Sequence, residues 1–241
     1  MPSRLIIIPT YNESSNIEEL LRRIFKYIDD VSVLVIDDNS PDGTAELCHS
    51  LQKIYPELHI YKRDQKLGLG SAYRLGFAWG LERGYTSLIE MDGDFSHRVR
   101  DLARMLEIQK ENPTIGLIIG SRWIEGGATV NWPKKREILS RTANRYVRFM
   151  LNTSVADSTA GFRVYSADTL RAIDLHTITS EGYSFQIEMT RAVINAGKSI
   201  IEVPITFRER ENGVSKMSSA IVKEAMVLVT IWGLKRILLR K

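Results

Sequence analysis

Val31-Ser32-Val33-Leu34-Val35-Ile36-Asp37-Asp38-Asn39-Ser40-Pro41-Asp42-Gly43 carries three signals in one run. Val31 to Ile36 is a continuous β-branched and aliphatic stretch, which predicts a strand buried on both faces. Two adjacent carboxylates, Asp37 and Asp38, follow it. A turn-forming group comes next, and Asp42-Gly43 opens a helix carrying Leu47, Leu51 and Ile54. The chain before this run has the same order. Leu5 to Ile8 reads as a buried strand, and Pro9-Thr10-Tyr11-Asn12-Glu13 is the polar group past its end. Ser15 and Glu18 then read as a capping box for a helix bearing Ile17, Leu20, Leu21, Ile24 and Ile28.

The order continues downstream. His59 to Lys62 predicts a short strand, about Ser71 to Arg83 a helix, and Ser87 to Met91 another strand ending at Asp92-Gly93-Asp94. Strands alternating with helices predict an α/β fold, a mostly parallel central sheet flanked by helices. Such sheets bind ligands beyond the carboxyl ends of their strands. The three polar groups should therefore meet along one rim. The second half is less regular. Ile115 to Ile119 reads as a strand, Ile138 to about Leu151 as a helix, and Ile200 to Phe207 as a strand interrupted by Pro204, hence an edge or a bend. No repeat, low-complexity segment or linker is evident. One catalytic domain over 1–217 is the simplest division, with 218–241 as a C-terminal amphipathic helix.

Composition bounds the reading. The 241 residues, 44% hydrophobic and 26% charged, suffice for one domain with a full core. Cys48 has no intramolecular partner, which favours a reducing compartment. A strand starting at Arg4 leaves no room for a signal peptide, and no apolar run is long enough to span a bilayer. A net charge of +4 without a recognition motif gives no argument for nucleic acid. The basic residues cluster at Arg136 to Arg148, at Arg208 to Lys216 and from Lys235 to Lys241. Each cluster also reads as an ordinary solvated face.

Asp92 and Asp94 are two apart, so they point the same way at a strand end. Carboxylates placed side by side repel unless a cation sits between them. Oxygen ligands suit Mg2+ or Mn2+, and such an ion would hold a diphosphate. Ordinary turn chemistry is the alternative, and it applies equally to Asp37-Asp38, one of which could otherwise bond a ribose or a base. Glu13 sits equivalently after the first strand. Lys66-Leu67-Gly68-Leu69-Gly70 precedes a helix, as a phosphate cradle or a tight turn, without matching a P-loop. Gly120-Ser121-Arg122 follows a strand on the same rim, and the loop from Arg210 to Lys216 offers cations for a diphosphate. His97 stands near the aspartates, where a structural role is the commoner one. No nucleophile–histidine arrangement and no zinc spacing occurs.

These residues together resemble the inverting GT-A glycosyltransferases of family 2, and within them the polyprenyl-phosphate (dolichyl-phosphate) mannose synthase branch. The resemblance rests on Ile6 to Glu13, Val35 to Thr44 and Asp92-Gly93-Asp94, then on Gly120-Ser121-Arg122, Asn131-Trp132, Arg136, Ser140-Arg141, Asp157 to Arg163, Gly182 to Gln186, Glu202 to Ile205 and the Arg210-to-Lys216 loop. It implies that Pro9, Tyr11, Glu13, Ile36 and Asp38 hold the nucleoside of GDP-mannose. Asp92 and Asp94 would carry the Mg2+ or Mn2+, with Gly93 lining the nucleotide site. Arg122, Arg210 and Lys216 would contact phosphates, and Arg122, Arg136 and Ser140 would meet the lipid phosphate. Two departures stand out. Gly93 replaces the family's usual Ala, and Ser96-His97-Arg98-Val99 lacks the proline of Ser-His-x-Pro, which should loosen the loop beside the metal.

A phosphate monoester has a second pKa near ~6, so a polyprenyl phosphate is largely a dianion at neutral pH and needs no strong general base. The expected reaction is direct attack on the sugar C1 with inversion. The acceptor implies a membrane surface, and Ala225 to Leu234, flanked by Lys223 and Lys235-Arg236 and containing Trp232, could lie on one or pack on the core. The expected location is cytoplasmic and peripheral on a membrane, with a membrane-anchoring partner subunit as a candidate partner. A UDP-glucose-using relative is the alternative enzyme. A non-catalytic nucleotide-binding regulatory subunit is the alternative of another class.

Overall fold

The computed structural model describes residues 3–209 and 219–238, without side-chain detail for 219–223. The first half is built as its pattern predicts. β1 (Arg4–Thr10), α1 (Ile17–Tyr27), β2 (Val31–Asp37), α2 (Thr44–Leu51), β3 (Leu58–Lys62), α3 (Leu69–Glu82) and β4 (Ser87–Glu90) alternate without interruption. α4 (Val99–Glu111), β5 (Leu117–Ser121), β6 (Ala128–Val130), α5 (Lys134–Leu151), β7 (Arg163–Ser166) and α6 (Ala167–Arg171) follow. α7 (Gly182–Asn195), β8 (Ile200–Pro204), β9 (Thr206–Arg208) and α8 (Ser219–Leu238) complete the chain. Arg210 and Lys216 lie outside the described residues.

One seven-stranded sheet has the order β3-β2-β1-β4-β7-β5-β8. Every pairing in it is parallel except those of β7, which runs antiparallel to both β4 and β5. The chain reverses its direction of travel across the sheet at β1, between β2 and β4. That switch point is where α/β sheets open a crevice. Side-chain alternation divides the core in two. Ile6, Ile8, Val33, Val35 and Ile89 pack with α1 and α4 on one face. Leu5, Ile7, Leu34, Ile36 and Leu88 pack with α3 and α7 on the other. α3 lies close against the sheet because a Cβ at Gly76 would stand 2.6 Å from Ile7 Cγ2.

Several local expectations are corrected. The Ser15–Glu18 capping box does not form. Asn16 takes the cap position without a side-chain cap bond, and its amide instead donates to Glu13 Oε2 at 3.0 Å. Ile28 lies just past α1. Ile54 falls beyond α2 and is exposed. The Ile200-to-Phe207 run splits at Ile205 into β8, the sheet's edge strand, and β9, which pairs with β6. Pro204 thus marks both an edge and a bend.

α8 packs one face on α5 and α7. Ala225 and Val229 are buried there, Gly233 rests against Met150, and Tyr146 Oη lies 2.6 Å from Thr230 Oγ1. Val227, Ile231, Leu234 and Leu238, three or four residues apart, form an exposed apolar stripe on the helix. No helix among the described residues is long and apolar enough to cross a membrane.

Candidate active site

The ends of β1, β2, β4 and β5 surround a cavity of about 440 Å³. The expected convergence is met. Pro9, Tyr11, Glu13 and Asp38 line the cavity together with Asp92, Gly93 and Asp94. Lys66 places its ammonium 4.1 Å from the centre of the Tyr11 ring, an arrangement favoured by the ring's negative face. Ile36 is the exception among the expected contacts. It is fully buried in the core on the α3 side and does not line the cavity.

The adjacent carboxylates divide their work. Asp37 is buried and accepts from Thr10 Oγ1, Ser40 N and Ser40 Oγ, so it is a turn residue. Asp38 reaches the cavity and is held by the Arg63 guanidinium, which also donates to Ser71 and to the Gly68 carbonyl. Asp42 accepts from Ser14 N and Thr44 N, which is cap chemistry. Asn12 and Asn39 have φ near +60°, which turns the chain sharply past β1 and β2.

Asp92 and Asp94 sit past β4. Asp94 Oδ1 accepts from Ser96 N at 3.1 Å, and Phe95 between them has φ +61°, a costly conformation for a bulky residue. His97 is a positioning group. Its Nδ1 accepts from Asp92 N at 3.1 Å, and its ring stacks on Phe162 at 4.5 Å. Burial pulls its pKa down to about 4, so the ring is neutral. Val99 is the first residue of α4, where proline is favoured, and the segment is anchored instead by His97 and by Asp101, which binds Arg98 and Thr206 N. Among the described residues no group of three or more Asp, Glu, His and Cys forms a metal cage. Two carboxylate donors opening into a cavity fit Mg2+ or Mn2+, which take part of their octahedron from substrate phosphates and water.

Another part of the cavity wall is basic and aromatic. Arg122 and Arg136 line it with Trp132, Phe207 and Glu209. Arg122 donates Nε and Nη2 to the two oxygens of Asp157, both at 2.7 Å, and Nη2 also to Thr159. Burial opposes the Arg122 charge, and the Asp157 carboxylate more than restores it. Asp157 also accepts from Arg122 N, while Glu202 accepts from the backbone of Ala156 and Asp157. Arg136 pairs with Glu209 at 2.7 Å and lies over Trp132. A narrow apolar groove of about 60 Å³ adjoins this part of the wall. Arg122, Trp132, Arg136, Thr159 and Tyr183 line both spaces, and the groove runs on past Ser140, Leu139, Val147, Ile187 and Val229.

The glycines of Lys66-to-Gly70 serve a protein carboxylate rather than a phosphate. Glu181 accepts from Gly70 N at 2.7 Å and Ser71 N at 3.0 Å, at the start of α3. A Cβ at Gly68 would fall 2.5 Å from Glu181 Oε2. Glu181, Asp157 and Glu209 escaped the sequence reading as functional groups, because their partners lie far away in the chain. Asp157→Asn should destabilise the fold by about 3–5 kcal/mol, since it leaves a buried guanidinium short of its counter-charge. Urea unfolding measures this, and a loss below about 1 kcal/mol would contradict the assignment.

Comparison with known proteins fits this geometry. The family model described as glycosyl transferase family 2 matches residues 5–174. A polyprenol monophosphomannose synthase of Mycolicibacterium smegmatis is 48% identical over 96% of this chain and 87% of its own. An undecaprenyl-phosphate mannosyltransferase of Micrococcus luteus is 51% identical over 95% of this chain and 93% of its own. Among solved structures, glucosyl-3-phosphoglycerate synthase from Mycobacterium tuberculosis, with Mn2+, UDP and glucosyl-3-phosphoglycerate, superposes with a TM-score of 0.68 at 17% identity, over 96% of this chain and 80% of that one. A mannosyltransferase from Pyrobaculum calidifontis, with GDP-Man and Mn2+, gives 0.58 at 17% identity, over 98% and 64%. These two establish the fold. The rim of carboxylates at the switch point, the family match and the relatives at about half identity place the chain in glycosyltransferase family 2.

Proposed function

We propose that this enzyme transfers mannose from GDP-mannose to a polyprenyl phosphate, with inversion at C1, giving polyprenyl-phosphate mannose and GDP. One observation carries the reading. Carboxylates and two guanidiniums line one cavity, and the same two guanidiniums line an apolar groove that adjoins it. A lipid phosphate has that same sequence of chemistry, an anionic head followed by a hydrocarbon chain. The names of the relatives support the acceptor and the sugar.

Pro9, Tyr11, Glu13 and Asp38 hold the nucleoside. Asp92 and Asp94 hold Mg2+ or Mn2+, which when bound neutralises the departing diphosphate. Arg136 and the Nη1 edge of Arg122 hold the acceptor phosphate, with Ser140 beside the groove. Arg210 and Lys216 fit the diphosphate by charge. The acceptor dianion is already a nucleophile, so these residues supply alignment and charge stabilisation rather than proton removal. For Arg136 to take the phosphate, Glu209 must give way or share it.

The purified chain with Mg2+, a polyprenyl phosphate and either GDP-mannose or UDP-glucose, its lipids read by mass spectrometry, tests the reading. Mannosyl lipid from GDP-mannose alone is expected, and glucosyl lipid refutes the donor. In the same assay Asp94→Asn should lower turnover by about 100-fold or more with an unchanged melting temperature. Near-wild-type turnover would refute the metal assignment.

We further propose that the exposed stripe of α8 lies on the membrane that supplies the acceptor. Val227, Ile231 and Leu234 are about half exposed on a helix ending in Lys235 and Arg236. Burying each aliphatic chain contributes about 1.5–3 kcal/mol. Replacing all three with Asp should weaken binding to anionic lipid vesicles more than tenfold. Binding that stays the same rejects the membrane face.

A further inference from the structure

Gln186, on α7, lines the cavity although only 2% of it is exposed. Its Nε2 donates to Glu90 Oε2 at 2.7 Å. Glu90 is fully buried at the end of β4, opposite Arg163 of β7. Because a carboxylate oxygen accepts, the nitrogen end of the Gln186 amide is turned toward Glu90. The other end, Oε1, is buried and has no partner among the described residues. A buried acceptor left unsatisfied is costly, and such groups in native proteins commonly wait for a ligand or water.

The surroundings of this oxygen point to the ligand's chemistry. Gly161, which also lines the cavity, lies over the amide, and a Cβ there would already stand 3.7 Å from Nε2. Gly161 does not adopt positive φ, so its missing side chain opens space rather than relieving the backbone. An amide oxygen accepts hydrogen bonds and repels phosphate oxygens, which accept as well. The nucleoside's own donors belong at the Tyr11 and Asp38 end. Tyr183, one turn before Gln186 on α7, lines both the cavity and the acceptor groove. The part of a nucleotide sugar that carries hydroxyl donors and lies between diphosphate and acceptor is the hexose.

We infer that Gln186 Oε1 accepts a hydrogen bond from a hydroxyl of the transferred sugar, and that Glu90 is the positioning residue that turns the amide to do so. This rests on the nucleotide-sugar reading above. It makes the Glu90–Gln186 pair a determinant of which sugar is accepted, separate from the residues that hold the nucleotide.

Calorimetry with Mn2+ on the full chain tests it, comparing GDP with GDP-mannose as ligands. Gln186→Met keeps the volume and removes the acceptor. It should weaken GDP-mannose binding about tenfold and leave GDP binding within about twofold. Glu90→Gln keeps the shape but frees the amide to turn, and should shift GDP-mannose in the same direction by less, again sparing GDP. Equal loss for both ligands in both variants, or no loss for either, overturns the inference in favour of a purely structural amide. Binding of UDP-glucose instead of GDP-mannose by the wild type refutes the donor proposed above. The same comparison of UDP with UDP-glucose then judges Gln186 by the same two outcomes.

Discussion

The buried pairing of Arg122 with Asp157 is the joint on which the acceptor half of the molecule depends. Arg122 directly follows β5, and Asp157 lies in the loop that precedes β7. Two parallel hydrogen bonds fix the guanidinium plane, and such forked pairs are the most directional charge contacts available to a protein. Glu202 of β8 holds the same loop from the other side, through the backbone amides of Ala156 and Asp157. Asn144 of α5 reaches Thr159 in that loop as well. Three parts of the second half are thereby tied to one loop. Arg122 so held lines both the cavity and the apolar groove.

Carboxylates and guanidiniums share the wall of one cavity. Asp92 and Asp94 both line the cavity past the end of β4. Arg136 is held by Glu209 and stacked on Trp132, so a carboxylate occupies the place proposed for the acceptor phosphate. At the start of α3, by contrast, Glu181 satisfies the free amides permanently, with Arg74 bonded to the same carboxylate. Both carboxylates line the cavity, and Glu181 is in addition packed closely against Gly68 and Gly70.

The parallel half of the sheet was legible because strands buried on both faces are continuous apolar runs, and because Asn, Asp and Gly mark their ends. That sufficed to bring Tyr11, Glu13, Asp38, Asp92 and Asp94 to one rim. β7 was illegible for the opposite reason. It has four residues and begins with Arg163, a fully buried charge paired with the carbonyls of Ser158 and Ala160. No pattern of hydropathy marks such a strand. α4 and α7 went unread as elements, although α7 carries Tyr183 and Gln186 into the site. The partners Arg63 for Asp38 and Glu181 for Gly70 lie 25 and 111 residues away. Pairings of that range are created by topology, and periodicity along the chain contains no trace of them.

The acceptor phosphate is proposed to attack the sugar carbon directly, because Arg122 and Arg136 are suited to hold a dianion that needs no base to activate it. The anomeric configuration of the product tests this most directly. Polyprenyl-phosphate mannose made by the purified chain from GDP-mannose, which is an α-linked donor, should show by NMR the C1–H1 coupling of a β-mannosyl phosphate. An α-linked product would contradict the claim, since retention at C1 is incompatible with a single in-line displacement of the diphosphate by the acceptor.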